Sequence, residues 1–155
     1  MSSTSLGPSD AIDLPVRRIV YDGFITEGIS LPRSEVAARL SLPETHVAAA
    51  FRRLAQAHVL VLQPESGEVL MANPFSSVPT AFRVTSGLMH WWGNCIWDAL
   101  GILAMIAQDG AVVTSCPDCG EGVTLSISAG RLPHADGIVH FAVPAAHWWD
   151  DIVFT

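Results

Sequence analysis

The chain has 155 residues and a net charge of -7, with 50% of its residues apolar and only 15% charged. This length allows one ordinary domain or two small ones, and the acidic balance argues against a DNA-binding surface, because such surfaces are usually basic. The longest apolar stretch, residues 96–107, is shorter than the roughly 20 residues that a membrane helix needs, and it contains Asp98. We therefore expect a buried core helix there and no membrane association.

The N-terminal residues 1–10 are polar and lack the basic start and apolar middle of a secretion signal. We expect them to form a disordered leader and the protein to be cytoplasmic. In that compartment the three cysteines are expected to be reduced thiols. The first predicted helix covers residues 14–26.

Residues 11–73 are predicted to form a winged helix-turn-helix-like module. Apolar residues at helical spacing predict a second helix that ends near Ser41. Ser41 and Glu44 match a capping box, which would start a third helix, and two apolar runs at residues 59–62 and 68–72 predict a hairpin. DNA binding is the obvious function of such a module, but few basic residues on the third helix could contact phosphate. This favours a packing or homodimerising role.

A second domain is predicted over residues 82–155, after a Pro- and Ser-rich linker at residues 74–81. Its central helix is predicted at residues 94–108. Strands are predicted at residues 82–85, 111–115, 123–128 and 138–143. The predicted fold class is α+β: the winged-helix-like module is followed by a small mixed α/β domain with a central buried helix and antiparallel strands.

Cys95 and Asp98 are the candidate catalytic residues. Asn94 is a suitable N-cap and would place Cys95 in the first helical turn, where the helix dipole favours the thiolate. Asp98 shares that face, and a carboxyl in such an apolar helix needs a partner or a raised pKa; with a raised pKa it can act as a general acid. The alternatives are a small buried cysteine and a carboxylate satisfied by backbone amides or an arginine.

Cys116 and Cys119 form a CxxC turn between two predicted strands. Read alone, this turn indicates half of a zinc site. No second CxxC follows, and the three histidines beyond residue 130 have no recognised ligand spacing, so a closed zinc site would need Cys95 or a distant histidine. Thioredoxin-type redox chemistry is disfavoured, because that motif precedes a helix and this one precedes a strand.

Five tryptophans lie at the two sequence ends of the second domain. Such residues most often belong to a core. If the two ends meet in space, they would line an apolar pocket over Cys95. The five are Trp91, Trp92, Trp97, Trp148 and Trp149.

Two motifs of the second domain carry a resemblance to a known family. One is the helical run Asn94-Cys95-Ile96-Trp97-Asp98-Ala99-Leu100, and the other is the turn Thr114-Ser115-Cys116-Pro117-Asp118-Cys119-Gly120-Glu121, which leads into a strand. Together with the winged-helix-like start, they make the chain similar to the alkylmercury lyases (organomercurial lyases) over roughly residues 30–155.

The resemblance implies protonolysis of a carbon–mercury bond, which releases a hydrocarbon and mercuric ion. In that family the helix cysteine captures mercury as a thiolate and the aspartate three residues later supplies the proton. Those roles would fall on Cys95 and Asp98, while Cys116 matches a position usually taken as structural. Mercury is a soft cation that prefers thiolate. It would enter as substrate or product, with no required cofactor and with small cytosolic thiols as partners.

The chain departs from the family pattern at its end. The family uses a second cysteine after the segment that resembles residues 148–155, and this sequence ends at Thr155, about where that cysteine is expected. Two-thiol capture is therefore not carried over. Either the chain is truncated, or Cys119 or Cys116 substitutes as a mercury ligand, or the activity is impaired or changed.

Two other functions stay open at this point. One is a non-catalytic metal-binding or metal-sensing protein that uses Cys95, Cys116 and Cys119 as thiolate ligands, with the winged helix as its output. The other is a family relative that uses the same pocket for a different small-molecule reaction, since a fold carries many chemistries.

Overall fold

The computed structural model describes residues 10–133 and 137–153, in which helices precede an antiparallel sheet. The helices are α1 (Asp13–Glu27), α2 (Arg33–Leu40), α3 (Glu44–Gln56) and α4 (Ile96–Ile106), with short 3₁₀ helices at Asp10–Ile12 and Ala145–Asp150. The strands are β1 (Val61–Leu62), β2 (Val69–Ala72), β3 (Phe75–Ser76), β4 (Phe82–Ser86), β5 (Met89–Gly93), β6 (Gly110–Ser115) and β7 (Gly122–Ile127). The predicted α+β class is confirmed. The predicted leader lies outside the described residues, except for Asp10.

Helices α1, α2 and α3 pack against one another through apolar faces. Val16, Val20 and Phe24 recur every four residues along α1 and are almost completely buried, as expected for a helix with one core-facing side. Arg53 on α3 donates from Nε to the carboxylate of Asp13 at 3.0 Å. This ion pair links the C-terminal half of α3 to the start of α1.

The capping box predicted at the start of α3 is wrong. Ser41 instead follows the last residue of α2 with a φ of 53°, and its backbone N–H donates to Ala38. Pro43 is the N-cap of α3 and provides no side-chain cap. The Glu44 carboxylate accepts a hydrogen bond from Arg33 Nε at 3.1 Å, so it stabilises the contact between α2 and α3 rather than the end of its own helix.

The sheet has seven strands in the order β1-β2-β3-β5-β4-β6-β7, and each neighbouring pair is antiparallel. The predicted hairpin is the β1–β2 pair. Strand β5, in which Trp91 pairs with Val84 of β4, was not predicted from the sequence. Gly93, the last residue of β5, pairs with Phe75 of β3 as well as with Phe82 of β4.

The segment predicted as a linker, residues 74–81, contains strand β3. Phe75 is fully buried there, and its ring stacks on Phe24 with centroids 5.1 Å apart. One cluster of buried side chains also runs from the helices into the sheet. The chain is therefore continuous in both sheet and core across these residues, while the division into two domains and the winged-helix assignment stay predictions.

The strand predicted at residues 138–143 is wrong. The described residues there form no strand, and Ile138 and Val139 are 95% and 51% exposed. A short apolar run becomes a strand only where a neighbouring strand can pair with it, and none pairs with it here. Among the described residues, no helix is both long and apolar enough to cross a membrane.

Helix α4 packs against the sheet at a position where only glycine fits. A Cβ atom on Gly93 would lie 2.6 Å from the backbone nitrogen of Ala99 and 2.9 Å from its Cβ. Thr80 also donates from Oγ1 to the Gly93 carbonyl at 2.6 Å. Because Ala99 lies in the first turns of α4, the missing side chain at Gly93 sets how closely the start of this helix approaches β5.

We expect Gly93→Ala to lower the free energy of unfolding by about 1–3 kcal/mol, because the added methyl group overpacks a buried contact. Gly122→Ala is the matched control, since a Cβ at this strand position meets nothing within 4 Å. Urea denaturation of both variants measures the difference. Equal stabilities would contradict the close approach of α4 to β5.

Candidate active site

The first turn of α4 brings Cys95 and Asp98 together. Cys95 is the N-cap of the helix, with extended backbone angles, and its Sγ accepts the backbone N–H of Asp98 at 3.5 Å. The sequence predicted Asn94 as the N-cap, and this prediction is wrong, because the N-cap is Cys95. The Asn94 side chain is used elsewhere, since its Nδ2 donates to Asn73 Oδ1 at 3.0 Å.

Cys95 and Asp98 lie on the wall of a small pocket of about 100 Å³. Most of the lining is apolar or aromatic, and its polar members are two asparagines in addition to the acid and the thiol. The lining consists of Met71, Asn73, Asn94, Cys95, Asp98, Phe141, Trp148, Trp149 and Ile152. A pocket of this composition suits a small apolar ligand with one group that sulfur or a carboxyl can address.

Burial controls the charge of the thiol. It raises the pKa of Cys95, and the nearby charge of Asp98 acts in the same direction. The backbone N–H groups of Asp98 and Trp97 lower this pKa, but by less. The expectation that the helix dipole makes Cys95 a ready thiolate is therefore wrong: desolvation is the larger effect, and it favours the neutral thiol.

Burial also raises the pKa of Asp98, which is half-buried. Hydrogen bonds from the side chains of Asn94 and Cys95 stabilise the carboxylate and oppose this shift. The thiol and the acid are thus in direct contact, and each favours its protonated form more than it would in water. Such a pair can exchange one proton over a short distance.

One polar atom of Asn94 has no hydrogen-bond partner among the described residues. Its Nδ2 makes the bond to Asn73, whereas its Oδ1 is buried and accepts no hydrogen bond. A buried acceptor left unpaired is costly. Asn94 also lines the pocket.

The five predicted pocket tryptophans divide into two groups. Trp148 and Trp149 line the pocket. Trp91 is only 2% exposed and donates from Nε1 to the carbonyl of Phe24 at 2.7 Å, so it belongs to the core. Trp92 is half-buried on β5 and Trp97 is 67% exposed on α4, and neither is part of the lining.

The C-terminal segment, residues 137–153, is not part of the sheet and contributes side chains to the pocket wall. Trp149 stacks on His58, just beyond α3, with ring centroids 4.1 Å apart and planes 7° apart. Trp148 donates from Nε1 to Val143 at 2.8 Å, and its ring contacts Phe141 at a centroid distance of 5.2 Å. Residues far apart in sequence therefore enclose Cys95.

The other two cysteines lie outside this pocket. Cys116 and Cys119 are on the turn between β6 and β7, and neither belongs to the lining. The described residues contain no group of three or more side chains that could hold a metal ion. A closed zinc site at the CxxC turn is therefore not formed within the described part of the chain, and His134 lies outside it.

Apart from Asn94, which was predicted only as an N-cap, four lining residues were not predicted from the sequence: Met71, Asn73, Phe141 and Ile152. Met71 and Asn73 come from the end of β2 and the residue after it, which the sheet order brings next to α4. The other two come from the C-terminal segment. No local pattern marks these four, because each reaches the pocket through long-range pairing or packing.

The alkylmercury lyase family (MerB) matches residues 75–155, just over half of the chain. Among solved structures, the fold is similar to the crystal structure of the mercury-bound form of MerB2, with a TM-score of 0.65 and 19% sequence identity. This match covers 79% of the present chain and 59% of that chain, so the present chain spans well under two thirds of its length. No curated protein gives a significant match.

The raised pKa of Cys95 predicts the order in which the thiols react with iodoacetamide as the pH rises. Cys116, whose pKa backbone N–H groups lower, should be modified at lower pH than Cys95, because only thiolates react. Asp98→Asn should shift the Cys95 midpoint downward, since it removes a negative charge that opposes the thiolate. Peptide mass spectrometry across a pH series reports each cysteine separately. A Cys95 midpoint below that of Cys116 would contradict the dominance of burial.

Proposed function

Because this chain belongs to the alkylmercury lyase family, we propose that it cleaves the carbon–mercury bond of organomercurial compounds, with Cys95 as the mercury ligand and Asp98 as the proton carrier. One observation carries this proposal: the thiol and the carboxyl touch each other on the wall of an otherwise largely apolar pocket. Both residues fall in the part of the chain that the family matches.

The first step is capture of mercury by Cys95. Mercury is soft and binds sulfur in preference to the oxygen and nitrogen atoms of the pocket. The thiol must lose its proton as the sulfur–mercury bond forms. The Asp98 carboxylate is in hydrogen-bond contact with that thiol and can accept the proton, without any solvent base entering the pocket.

The second step is transfer of the same proton to carbon. Coordination by sulfur pushes electron density toward the mercury-bound carbon, and protonated Asp98 then delivers the proton to it as a general acid. The S–H and C–Hg bonds break, and the S–Hg and C–H bonds form. No oxidation or reduction occurs, and Asp98 ends as the carboxylate with which it began.

The pocket favours this sequence by its composition. Aromatic and aliphatic side chains line most of it, so an alkyl or phenyl group finds apolar contacts beside the acid. Its volume of about 100 Å³ suits a small organic group. The neutral hydrocarbon product has no charge to hold it and can leave.

A second sulfur ligand would assist the cleavage by increasing the charge on carbon. Among the described residues, Cys95 provides the only thiol in the lining, and Met71 provides its other sulfur-bearing side chain. We therefore propose that a small cytosolic thiol, bound to mercury when the substrate arrives, supplies the second sulfur and later removes mercuric ion from Cys95.

Substitution of each reacting group should affect a different step. Cys95→Ser should abolish organomercurial binding in the pocket and hydrocarbon release, because the soft ligand of the pocket is lost. Asp98→Asn should still bind the organomercurial through Cys95 but slow cleavage by about 10²–10⁴-fold, the usual contribution of a general acid. The assay is single-turnover release of benzene from phenylmercury in excess small thiol.

Asp118→Asn and Cys119→Ser are the matched controls, because they change the same residue types on a turn outside the pocket. Both should cleave phenylmercury at the parent rate in excess thiol. Benzene release by Cys95→Ser at the parent rate would overturn the proposal. Tight mercury binding by the parent without benzene release would instead favour a non-catalytic metal-binding protein.

A further inference from the structure

We propose that Cys116 and Cys119, on the turn between β6 and β7, form a second site that binds one mercuric ion through both sulfurs. The turn lies outside the pocket that contains Cys95. That mercury reaches this site as the product of cleavage depends on the proposed function. The capacity of the turn to bind mercuric ion does not.

Backbone hydrogen bonds close this turn around Cys116. The Cys116 N–H donates to the Glu121 carbonyl at 2.8 Å, and the Gly120 N–H donates to the Cys116 carbonyl at 2.9 Å. Gly120 has a φ of 75°, which suits glycine and closes the turn. The backbone N–H groups of Asp118 and Cys119 then donate to Cys116 Sγ, and such donors stabilise the charge on a metal-bound thiolate.

The two sulfurs are neighbours and are open to solvent. The Cys119 side chain is in hydrogen-bond contact with Cys116, and Cys119 is exposed while Cys116 is half-buried. Neither is in a disulfide. Both thiols can therefore reach one ion without any change in the sheet.

The number of available ligands selects the metal. Within the described residues this turn offers two thiols, and no third metal-ligating side chain joins them. A structural zinc ion needs four ligands, whereas a soft mercuric ion is satisfied by two thiolates. The carboxylates of Asp118 and Glu121 add negative charge to the turn, which favours a cation over an anionic ligand.

The sheet register places this turn at the same end of the sheet as Cys95. Gly93, two residues before Cys95, pairs with Phe82 at the start of β4, and the next residue of β4, Arg83, pairs with Val113 near the end of β6. Strands β5 and β6 are separated only by β4, which corresponds to about 10 Å between their axes. The dithiol and Cys95 thus share one end of the sheet, two strands apart.

The transfer is an exchange of thiolates that conserves every atom and electron. Mercury on Cys95 also carries one outer ligand, a small thiolate or a halide. As the two bonds to Cys116 and Cys119 form, the bonds to Cys95 and to the outer ligand break. Of the two thiol protons released, one returns to Cys95 and the other goes to the outer ligand or to solvent.

Inorganic mercuric chloride tests this site without any cleavage reaction. In a Cys95→Ser protein, one mercuric ion per chain should be retained through desalting against a competing small monothiol, as measured by native mass spectrometry. Adding Cys116→Ser or Cys119→Ser to that protein should weaken retention by about 100-fold or more, because the second sulfur no longer acts at high effective concentration.

Several outcomes would overturn the proposal. Loss of mercury from Cys95→Ser with the turn intact would do so, as would full retention after either turn substitution. One ion shared by two chains would mean a site between copies, and displacement by equimolar zinc would mean a zinc site. Thermal unfolding of each variant shows that it is folded. If the parent protein does not cleave phenylmercury, the proposed function is wrong, but the test of mercuric ion binding by Cys116 and Cys119 is unaffected.

Discussion

The contact between the start of α4 and the end of β5 is the constraint on which the site depends. At Gly93 the sheet has no side chain, and the backbone of Ala99 occupies that space. The two residues between strand and helix must therefore turn within a very short distance. Cys95 ends this turn as the helix N-cap, so the packing that positions the helix also positions the thiol at the pocket wall.

Two opposing effects meet at that thiol. The N-terminus of a helix stabilises negative charge, and the Asp98 N–H points at the sulfur. Removal of water from the same sulfur disfavours the charge, and burial is the larger effect on the pKa. The site therefore favours a protonated thiol beside the Asp98 carboxyl group, which can accept its proton. The reaction must end with a proton on carbon. In this arrangement the Cys95 thiol holds that proton next to the Asp98 carboxyl group, which passes it to the substrate.

Local sequence patterns predicted much of this fold but not the parts that depend on distant partners. The three N-terminal helices and the β6–β7 pair follow from their apolar spacing and turn residues. Strand β5 was missed because Met89–Gly93 is short and contains two adjacent tryptophans, so alternation is hard to detect. The run at residues 138–143 has a strand-like composition, but no described strand pairs with it. The capping box at Ser41 does not form, because Ser41 is the residue that ends the preceding helix.

The candidate site divides in the same way. Cys95 and Asp98 could be selected from sequence because residues three apart on a helix share a face. The two tryptophans of the C-terminal segment were assigned to the pocket because of their residue type. The same reasoning also assigned Trp91 to the pocket, but Trp91 is buried in the core. Asn73 carried no local signal. It reaches the pocket because β2 and β3 bring residue 73 next to α4, and such placement depends on the order of strands in the sheet.

The asparagine beside the acid explains how a proton carrier can be both fixed and reactive. Hydrogen bonds that hold a carboxylate in place usually lower its pKa, which would weaken it as an acid. Here the side chains of Asn94 and Cys95 hold Asp98, yet burial is the larger effect and raises the pKa. Asn94 is itself held by Asn73, while its own oxygen accepts no hydrogen bond from the part of the chain that the structure describes. A few hydrogen-bond donors thus orient the Asp98 carboxyl group, while the surrounding apolar side chains raise its pKa. The carboxyl group can therefore be held in place without becoming a weaker proton donor.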